Sequence, residues 1–198
     1  FFLTLKPLYK SYLYNMYLKT KIRTFLVLLI IFKSSLSFSD TFIYSGGCFW
    51  CTEADTEKLP GVISVISGFT SGTSPNPKYY PGKWGDHREA ALVNYNPNLI
   101  SLKKLIKHVF KTIDFEDNEG QFCDRGRSYT PAIYYKNNNE KKLIFSLAPK
   151  SSVVPIEPET KFFPVREEHQ DFYLKNPFQY NFYRYRCGRD LRLDELNK

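Results

Sequence analysis

The sequence lacks an apolar run long enough to cross a membrane. Its apolar stretch at residues 25–32 is far shorter than the roughly 20 residues that a membrane-spanning helix needs. After residue 40 there is no internal repeat and no low-complexity linker. With 198 residues, the chain can hold one well-buried domain and a tail, but not two domains of ordinary size.

Acidic residues are missing from residues 1–39, and this explains most of the net charge. The whole chain carries a formal charge of +8, with 28 basic and 20 acidic side chains. Six of the basic residues lie in that first segment, which leaves 22 basic against 20 acidic residues beyond it. A balance of +2 gives no electrostatic reason to expect DNA or RNA as a partner.

The basic segment has the layout of a secretory signal peptide. From Met16, the only methionine, the chain reads basic residues, then the apolar run at 25–32, then small polar residues through Ser39. We therefore expect an exported protein, periplasmic or extracytoplasmic, with a retained membrane anchor as the alternative. The predicted organisation is residues 1–39 as upstream residues and leader, and residues 40–198 as one catalytic domain. Disulfides persist outside the cytoplasm, which suits a cysteine-based redox cycle.

Strands and helices alternate along the rest of the chain, separated by long polar loops. This order predicts an α/β or α+β layer fold in which the loops carry the chemistry. The tail beyond Pro177 has no clear period. Predicted strands cover residues 41–45, 62–67, 89–95, 132–135 and 153–156, and predicted helices cover residues 48–58, 102–112, 140–147 and 167–175.

The stretch Gly-Gly-Cys-Phe-Trp-Cys at residues 46–51 places a thiol where the first strand should turn into a helix. The amides of a helix N-terminus favour thiolate over thiol, so Cys48 is a candidate nucleophile. Phe49 and Trp50 could wall an apolar pocket beside the sulfur. Cys-X-X-Cys alone is ambiguous, because redox pairs, zinc half-sites and core cysteines all share this spacing.

Three polar segments could converge on Cys48. Each also has an ordinary explanation as solvated or core residues. The segments are Tyr79 and Tyr80 with Gly85 to Glu89, Gln121 to Gly126 with Tyr129, and Cys187 to Asp190.

Together with Cys48, these segments resemble the A-type peptide methionine sulfoxide reductase family over about residues 42–196. The most specific shared motifs are Gly47-Cys48-Phe49-Trp50, Asp86-His87-Arg88-Glu89, Gln121-Phe122-Cys123-Asp124-Arg125-Gly126, His169-Gln170 and Cys187-Gly188-Arg189-Asp190. The resemblance implies an α+β fold, a two-layer sandwich around a mixed central sheet with long functional loops and an irregular C-terminal tail. It also implies reduction of the S epimer of methionine sulfoxide, free or in proteins, to methionine.

The resemblance further implies a role for each site residue. Cys48 matches the nucleophile, Glu89 the acid and Cys187 the resolving thiol, and the remaining matches bind substrate. These are Phe49 and Trp50 around the S-methyl group and Tyr79, Asp124 and Tyr129 as the hydrogen-bonding shell. The implied cycle needs no bound cofactor and no metal. It uses an external dithiol, thioredoxin or a thioredoxin-like protein, and a monomer is expected.

Residue chemistry agrees with these roles. A sulfoxide is a poor electrophile until its oxygen is protonated, and Glu89 could supply that proton if burial raises its pKa. Loss of the oxygen would leave a sulfenic acid on Cys48, which a second thiol condenses to a disulfide. Cys187 is favoured because Arg186 and Arg189 should stabilise its thiolate. For Cys51 and Cys123 we expect packing, although Cys51 could also help to resolve the sulfenic acid.

The chain departs from the family pattern at three places. Ser71 stands where glycine is expected, Thr130-Pro131 where Arg-Ser is expected, and Arg166 and Glu168 where Glu and Tyr are expected. These departures leave the nucleophile and the acid intact. They concern the positioning of Tyr129 and of His169, which we take as a structural hydrogen-bonding residue.

Two other functions compete with the reductase. A thioredoxin-like disulfide oxidoreductase would use Cys48 and Cys51 as its working pair and would not need Cys187. A zinc-binding module would use Cys48, Cys51 and Cys123 with Cys187 or a histidine, but it lacks a second closely spaced ligand pair.

Overall fold

The structure is a computed structural model that describes residues 16–19, 21, 38–75, 77 and 85–198. The chain divides into two compact units, residues 1–37 and residues 38–198. In the first unit, residues 16–19 and 21 are helical, and the apolar part of the predicted leader lies outside the described residues. Among the residues described, none of the helices is both long and apolar enough to span a bilayer.

The second unit is built on a six-stranded mixed sheet with helices packed on it. The strand order is β7-β6-β1-β3-β2-β8, with β6 and β7 parallel and the other neighbours antiparallel. This confirms the predicted α+β class. The strands are β1 (Asp40–Ser45), β2 (Val62–Thr70), β3 (Arg88–Tyr95), β4 (Gly120–Gln121), β5 (Asp124–Arg125), β6 (Ala132–Tyr135), β7 (Ile156–Pro158) and β8 (Phe163–Pro164). The helices are α1 (Phe49–Glu57), α2 (Leu102–Thr112), α3 (Asn138–Leu147), α4 (Phe172–Lys175), α5 (Pro177–Arg186) and α6 (Arg189–Leu196).

Helix α2 forms as its sequence predicts. The Oγ of Ser101 accepts a hydrogen bond from the N–H of Lys104 at 3.3 Å, which caps the first turn. The apolar positions Leu105, Ile106 and Val109 recur at helical spacing and are buried against β1 and β3. Burial of this face packs α2 against the central strands β1 and β3. This packing holds the C-terminal end of β1 in place.

The C-terminal tail differs from the prediction, because it is helical rather than irregular. Helix α5 starts with Pro177 at its first turn, a position that tolerates proline because its N–H would be unpaired there. The predicted helix 167–175 is broken into a 3-10 turn at Glu167–His169 and helix α4. The break falls at Asp171, whose φ is +53°, a left-handed conformation that cannot continue a helix.

The strand predicted at residues 153–156 is shifted along the chain. Parallel pairing with β6 begins at Ile156, opposite Ile133. The carbonyl of Pro155 accepts the N–H of Ile133 at 3.0 Å, but proline has no N–H to return. The regular ladder therefore starts at the last residue of the predicted strand.

Candidate active site

Cys48 lies at the junction between β1 and α1, as the motif predicts. Gly47 has a φ of +82°, and a Cβ there would lie 2.6 Å from the Cβ of Gln121, so only glycine fits. The carbonyl of Cys48 accepts the N–H groups of Cys51 and Thr52 at 3.1 and 3.2 Å. Cys48 is thus the N-cap residue of α1, and its thiol is held at the helix start.

Glu89 lies directly beside the Gly-Gly-Cys-Phe-Trp-Cys stretch. It is the second residue of β3, is only 1% exposed, and its Oε2 accepts the backbone N–H of Phe49 at 2.9 Å. Burial raises the pKa of Glu89 to about 8, against the lowering effect of the Phe49 N–H, and the negative charges of Asp124 and Cys51 add to the rise. The carboxyl group therefore holds its proton at neutral pH.

A cavity of about 130 Å³ opens beside these two residues. Six of the eight predicted site residues line it, so three distant chain segments meet here. Tyr79 lies outside the described residues, and Cys187 is not among the lining side chains. The cavity is lined by Cys48, Phe49, Trp50, Glu89, Asp124, Tyr129 and Tyr183.

Tyr183, on helix α5, is a lining residue that the sequence analysis missed. Its hydroxyl is hydrogen-bonded to Oδ2 of Asp124, and it lowers the pKa of the Cys48 thiol against the larger effect of burial. The spacing of Tyr180, Tyr183 and Cys187 at i, i+3 and i+7 is the signal that could have revealed an inward helix face. That face was hidden because aromatic residues also cover the rest of the helix.

Aromatic side chains form one wall of the site. Trp50 stacks on Phe172 with ring centroids 3.8 Å apart. The ring of His169 is nearly parallel to that of Trp50, with centroids 5.9 Å apart. Phe49 is buried and meets Phe69 edge-on at 5.8 Å. Such contacts fix the ring orientations, which gives the cavity a rigid apolar side.

The ionisation of Cys48 differs from the prediction. The helix N-terminus was expected to favour thiolate, but burial raises the pKa of the Cys48 thiol well above its usual value. The neighbouring Cys51 and Glu89 raise it further when they are charged. Desolvation of a buried sulfur thus outweighs the partial charge of one helix end, which favours the thiol form of Cys48.

The other cysteines also differ from expectation. Cys123 was expected to pack, but it is exposed and forms a disulfide with Cys187, their Cα atoms 4.7 Å apart. Arg189 does not flank Cys187 as a surface cation. It is buried, and its guanidinium donates to the carbonyls of Gly46 and Thr112 at 3.3 and 2.5 Å. Cys51 is buried as expected, with a free thiol.

The departures from the family pattern have local structural reasons. Ser71 adopts a φ of +59°, which explains why glycine is expected there, and its Oγ donates to Glu157 at 2.7 Å. Thr130 accepts a 2.8 Å bond from Nε of the buried Arg88, which ties the Tyr129 turn to β3. Arg166 and Glu168 form an exposed ion pair at 2.8 Å.

The four cysteines do not assemble as the zinc hypothesis requires. Within the described part of the chain, the group with metal-binding geometry is Cys123, Asp124 and Cys187. Cys48 and Cys51 are outside that group, and two of its three ligand atoms are joined to each other in a disulfide. The arrangement therefore favours thiol redox chemistry.

Comparison with known proteins agrees with this geometry. The family model described as peptide methionine sulfoxide reductase matches residues 40–198. Peptide methionine sulfoxide reductase MsrA 2 of Rhizobium meliloti is 40% identical over 163 residues, which covers 78% of this chain and 81% of that protein. The methionine sulfoxide reductase A structure from Corynebacterium diphtheriae superposes with a TM-score of 0.64 at 25% identity, covering 73% of this chain and 77% of that one.

A longer relative matches as well. Peptide methionine sulfoxide reductase MsrA/MsrB of Vibrio cholerae is 41% identical over 167 residues, covering 77% of this chain. The chain spans only 43% of the length of that protein.

Proposed function

Because the chain belongs to the peptide methionine sulfoxide reductase family, we propose that its cavity reduces the S epimer of methionine sulfoxide, free or in proteins. The family makes it an oxidoreductase acting on methionine sulfoxide. A thioredoxin-like disulfide oxidoreductase is not favoured, because the match covers the whole unit that contains Glu89 and Asp124 as well as the Cys-X-X-Cys motif.

The contact between Glu89 and the N–H of Phe49 carries the proposal. It holds a protonated carboxyl group beside the cavity into which Cys48 also faces. A sulfoxide reacts poorly until its oxygen is protonated, and a carboxyl group that keeps its proton at neutral pH can supply that proton. The buried thiol supplies the sulfur nucleophile in the same cavity.

Glu89 and Cys48 together account for the protons and the oxygen atom transferred in the reaction. Glu89 donates its proton to the sulfoxide oxygen, and Cys48 attacks and takes that oxygen as the S–O bond to the substrate breaks. The proton of the thiol returns to Glu89. Cys48 ends as a sulfenic acid, oxidised by two electrons, and the sulfoxide leaves as methionine.

The other lining residues orient the substrate. Phe49 and Trp50 offer an apolar wall for the S-methyl group. Tyr129 and Tyr183 also line the cavity, and we assign their hydroxyl groups to stabilising the charge that develops on the oxygen. We propose Tyr79 as a further hydrogen-bond donor to the substrate, on the basis of the sequence motif alone.

Electrons must return from outside the protein. We propose a thioredoxin-like dithiol as the donor and the Cys123–Cys187 disulfide as the point where it reacts, because Cys123 is exposed. We further propose that the protein is exported, on the basis of the basic and apolar leader. Fractionation of cells and sequencing of the mature N-terminus would test that second proposal.

Separate assays of the two epimers with dithiothreitol test the function. We expect methionine from the S epimer, and we expect its formation to be abolished by Cys48→Ser and strongly reduced by Glu89→Gln. Activity that survives in Cys48→Ser would contradict the nucleophile, and preference for the R epimer would contradict the substrate.

A further inference from the structure

Two cysteines and a carboxylate meet where the hairpin of β4 and β5 packs beside the end of α5. Cys123 and Asp124 belong to the hairpin, and Cys187 follows the last residue of α5. Their ligand atoms, two sulfurs and a carboxylate oxygen, all lie within 4.8 Å of one another. We call these three residues the outer cluster, and the Cys123–Cys187 bond the outer disulfide.

A hydrogen bond orients the carboxylate of the outer cluster. The hydroxyl of Tyr183 donates to Oδ2 of Asp124, while Oδ1 faces Cys123, whose Sγ lies 3.8 Å away. Hydrogen bonds of this kind fix ligating carboxylates in metal sites. One oxygen of Asp124 is therefore aimed at the sulfurs, and the other is held by a residue outside the cluster.

The hairpin that carries Cys123 is held by bonds that do not involve sulfur. The side chain of Gln121 accepts the N–H of Asp114 at 2.8 Å and donates to its carbonyl at 2.9 Å. The N–H of Gly126 donates to the carbonyl of Glu119 at 2.8 Å, which closes the hairpin. These bonds remain in place when the outer disulfide is opened.

The end of α5 is anchored in the same way. Arg184 pairs with the buried Asp55 of α1 at 2.8 Å, three residues before Cys187. Arg189, two residues after Cys187, is buried and donates to the carbonyl of Gly46 at 3.3 Å. Because neither anchor depends on sulfur, reduction separates the two sulfurs without dispersing the cluster.

Reduction turns the outer cluster into a set of metal ligands. A dithiol that opens the outer disulfide forms its own disulfide and gives two protons to Cys123 and Cys187. Two cysteine sulfurs and a carboxylate oxygen, with water in the fourth position, suit tetrahedral Zn²⁺. Zn–S bonds of about 2.3 Å and Zn–O bonds of about 2.1 Å place such ligand atoms roughly 3.5–3.8 Å apart. The outer cluster spans no more than 4.8 Å, so it needs only small movements to fit.

We propose that the reduced outer cluster is a zinc site, in which Cys123, Cys187 and Asp124 bind one Zn²⁺ ion. Binding displaces the two thiol protons and transfers no electrons. The two sulfurs cannot be joined to each other while both are bound to zinc, so metal binding and the outer disulfide exclude each other. Bound zinc therefore stops recycling of the enzyme. This consequence for turnover rests on the proposed function, but the site itself does not.

The outer cluster is also the more accessible of the two cysteine pairs. Cys123 is exposed and Cys187 is partly exposed, so a hydrated cation can reach both sulfurs. Cys48 and Cys51 are only 6% and 2% exposed. Within the part of the chain that the structure describes, neither belongs to a group with metal-binding geometry. We therefore assign the metal to the outer cluster.

Titration with Co²⁺ tests the site. Co²⁺ accepts the same tetrahedral thiolate ligands as Zn²⁺, and its absorption spectrum reports them. The protein is fully reduced, freed of reductant and kept without oxygen. We expect about one Co²⁺ per chain, a thiolate-to-cobalt charge-transfer band, the intense d–d bands of a tetrahedral ion, and displacement of Co²⁺ by Zn²⁺. A spectrum without the thiolate band, or binding only at a large excess of Co²⁺, would overturn the proposal.

Variants locate the metal within the chain. Cys187→Ser should lose most of the charge-transfer band. Cys51→Ser leaves the outer cluster intact and is the matched control, which should keep the band. The reverse pattern would place the metal at Cys48 and Cys51 and would overturn the proposal. Tyr183→Phe should bind Co²⁺ about 10- to 100-fold more weakly, the usual effect of removing a hydrogen bond to a metal ligand. An unchanged affinity would contradict the orienting role of Tyr183.

Wild type provides a measurement that needs no substitution. One equivalent of Zn²⁺ should slow the alkylation of Cys123 and Cys187 by iodoacetamide, followed by mass spectrometry, and EDTA should restore it. Diamide, which oxidises pairs of thiols to disulfides, should release the zinc to a chromophoric chelator as the outer disulfide forms. Protection of Cys48 and Cys51 instead, or zinc that stays bound after the outer disulfide has formed, would contradict the proposal. These measurements use no substrate, so failure of the proposed function would leave their results unchanged.

Discussion

The backbone N–H of Phe49 donates a 2.9 Å hydrogen bond to Oε2 of Glu89, a residue 40 positions away along the chain. This bond joins the first turn of α1 to the second residue of β3. It holds the carboxyl group beside the thiol of Cys48 while burial keeps that group protonated. The packing of α1 against β3 thus sets both the position and the protonation state of the Glu89 carboxyl group.

The first prediction concerns this carboxyl group. Because the pKa of Glu89 is raised to about 8, the acid is present below that pH and is lost as pH rises through it. We expect kcat/KM for the S epimer to fall above about pH 8. Glu89→Gln should lower kcat by about 100- to 10,000-fold, the usual contribution of general acid catalysis, and should lose that pH dependence.

Steady-state kinetics across pH would measure both effects. Glu195→Gln is a suitable control, since Glu195 is an exposed carboxylate on α6. An unchanged kcat in Glu89→Gln would show that another group protonates the substrate.

The second prediction concerns Tyr183. Tyr183→Phe removes the hydroxyl that binds Asp124 and lines the cavity with Cys48, while it keeps the edge-on contact with Trp50. A hydrogen bond to a charged group contributes about 1.5–3 kcal/mol. We therefore expect kcat/KM to fall by about tenfold or more. Tyr185→Phe on the exposed side of the same helix is the control, and equal losses in both would argue against a specific role.

The third prediction concerns backbone strain at Ser71. Its positive φ favours glycine, but its side chain donates to Glu157 and accepts from Arg88 at 3.2 Å. Ser71→Gly relieves the strain and loses the bonds, whereas Ser71→Ala loses the bonds and keeps the strain. We expect alanine to be less stable than glycine by about 1 kcal/mol. Urea unfolding would measure the order, and equal stability of the two variants would contradict it.

The site motifs could be predicted from the sequence because each is short and local. The glycine pair before Cys48 and the carboxylate at the start of a strand can be read directly from the sequence. The ionisation of Cys48 could not be predicted in this way, because it depends on burial by residues from several segments. A helix end is local, but desolvation is a property of the fold.

The C-terminal helices and the outer disulfide show a second limit of sequence analysis. On α5 the buried Tyr180 and the exposed Phe178 and Phe182 are all aromatic, so hydrophobicity does not reveal which face packs. Cys123 and Cys187 are 64 residues apart, and only the packing of α5 beside the loop with β4 and β5 brings them together. Pairing of this kind is a matter of tertiary structure.

The fourth prediction concerns Glu53 on α1. This side chain is buried, and burial raises its pKa to about 7 from 4.5, although the N–H of Asp171 lowers it. The folded state therefore binds the proton more tightly than the unfolded state. Stability from this group is full below about pH 4.5 and declines until about pH 7.

Glu53→Gln cannot titrate, so the gain in unfolding free energy relative to wild type should grow between those two pH values. Chemical denaturation of both proteins at several pH values would give the difference. A constant difference across this range would show that the carboxyl group does not titrate there.

The fifth prediction concerns Arg189, a guanidinium buried between the carbonyls of Gly46 and Thr112. Arg189 also pairs with the buried Asp55 at 3.4 Å. Arg189→Met leaves Asp55 with less compensating charge in the interior, and loss of one partner of a buried ion pair costs about 3–5 kcal/mol. It also removes one of the charges that lower the pKa of Cys51. We expect lower stability together with a higher Cys51 pKa.

Arg189→Lys separates the two effects because it retains the charge. This variant should lose stability, since lysine cannot reproduce the planar donor set of arginine. It should shift the Cys51 pKa less than Arg189→Met does. Thiolate absorbance in a background with Cys48, Cys123 and Cys187 changed to serine would measure the pKa. A Cys51 pKa in Arg189→Met equal to that of the same background with Arg189 would mean that Arg189 supports the fold without acting on the thiol.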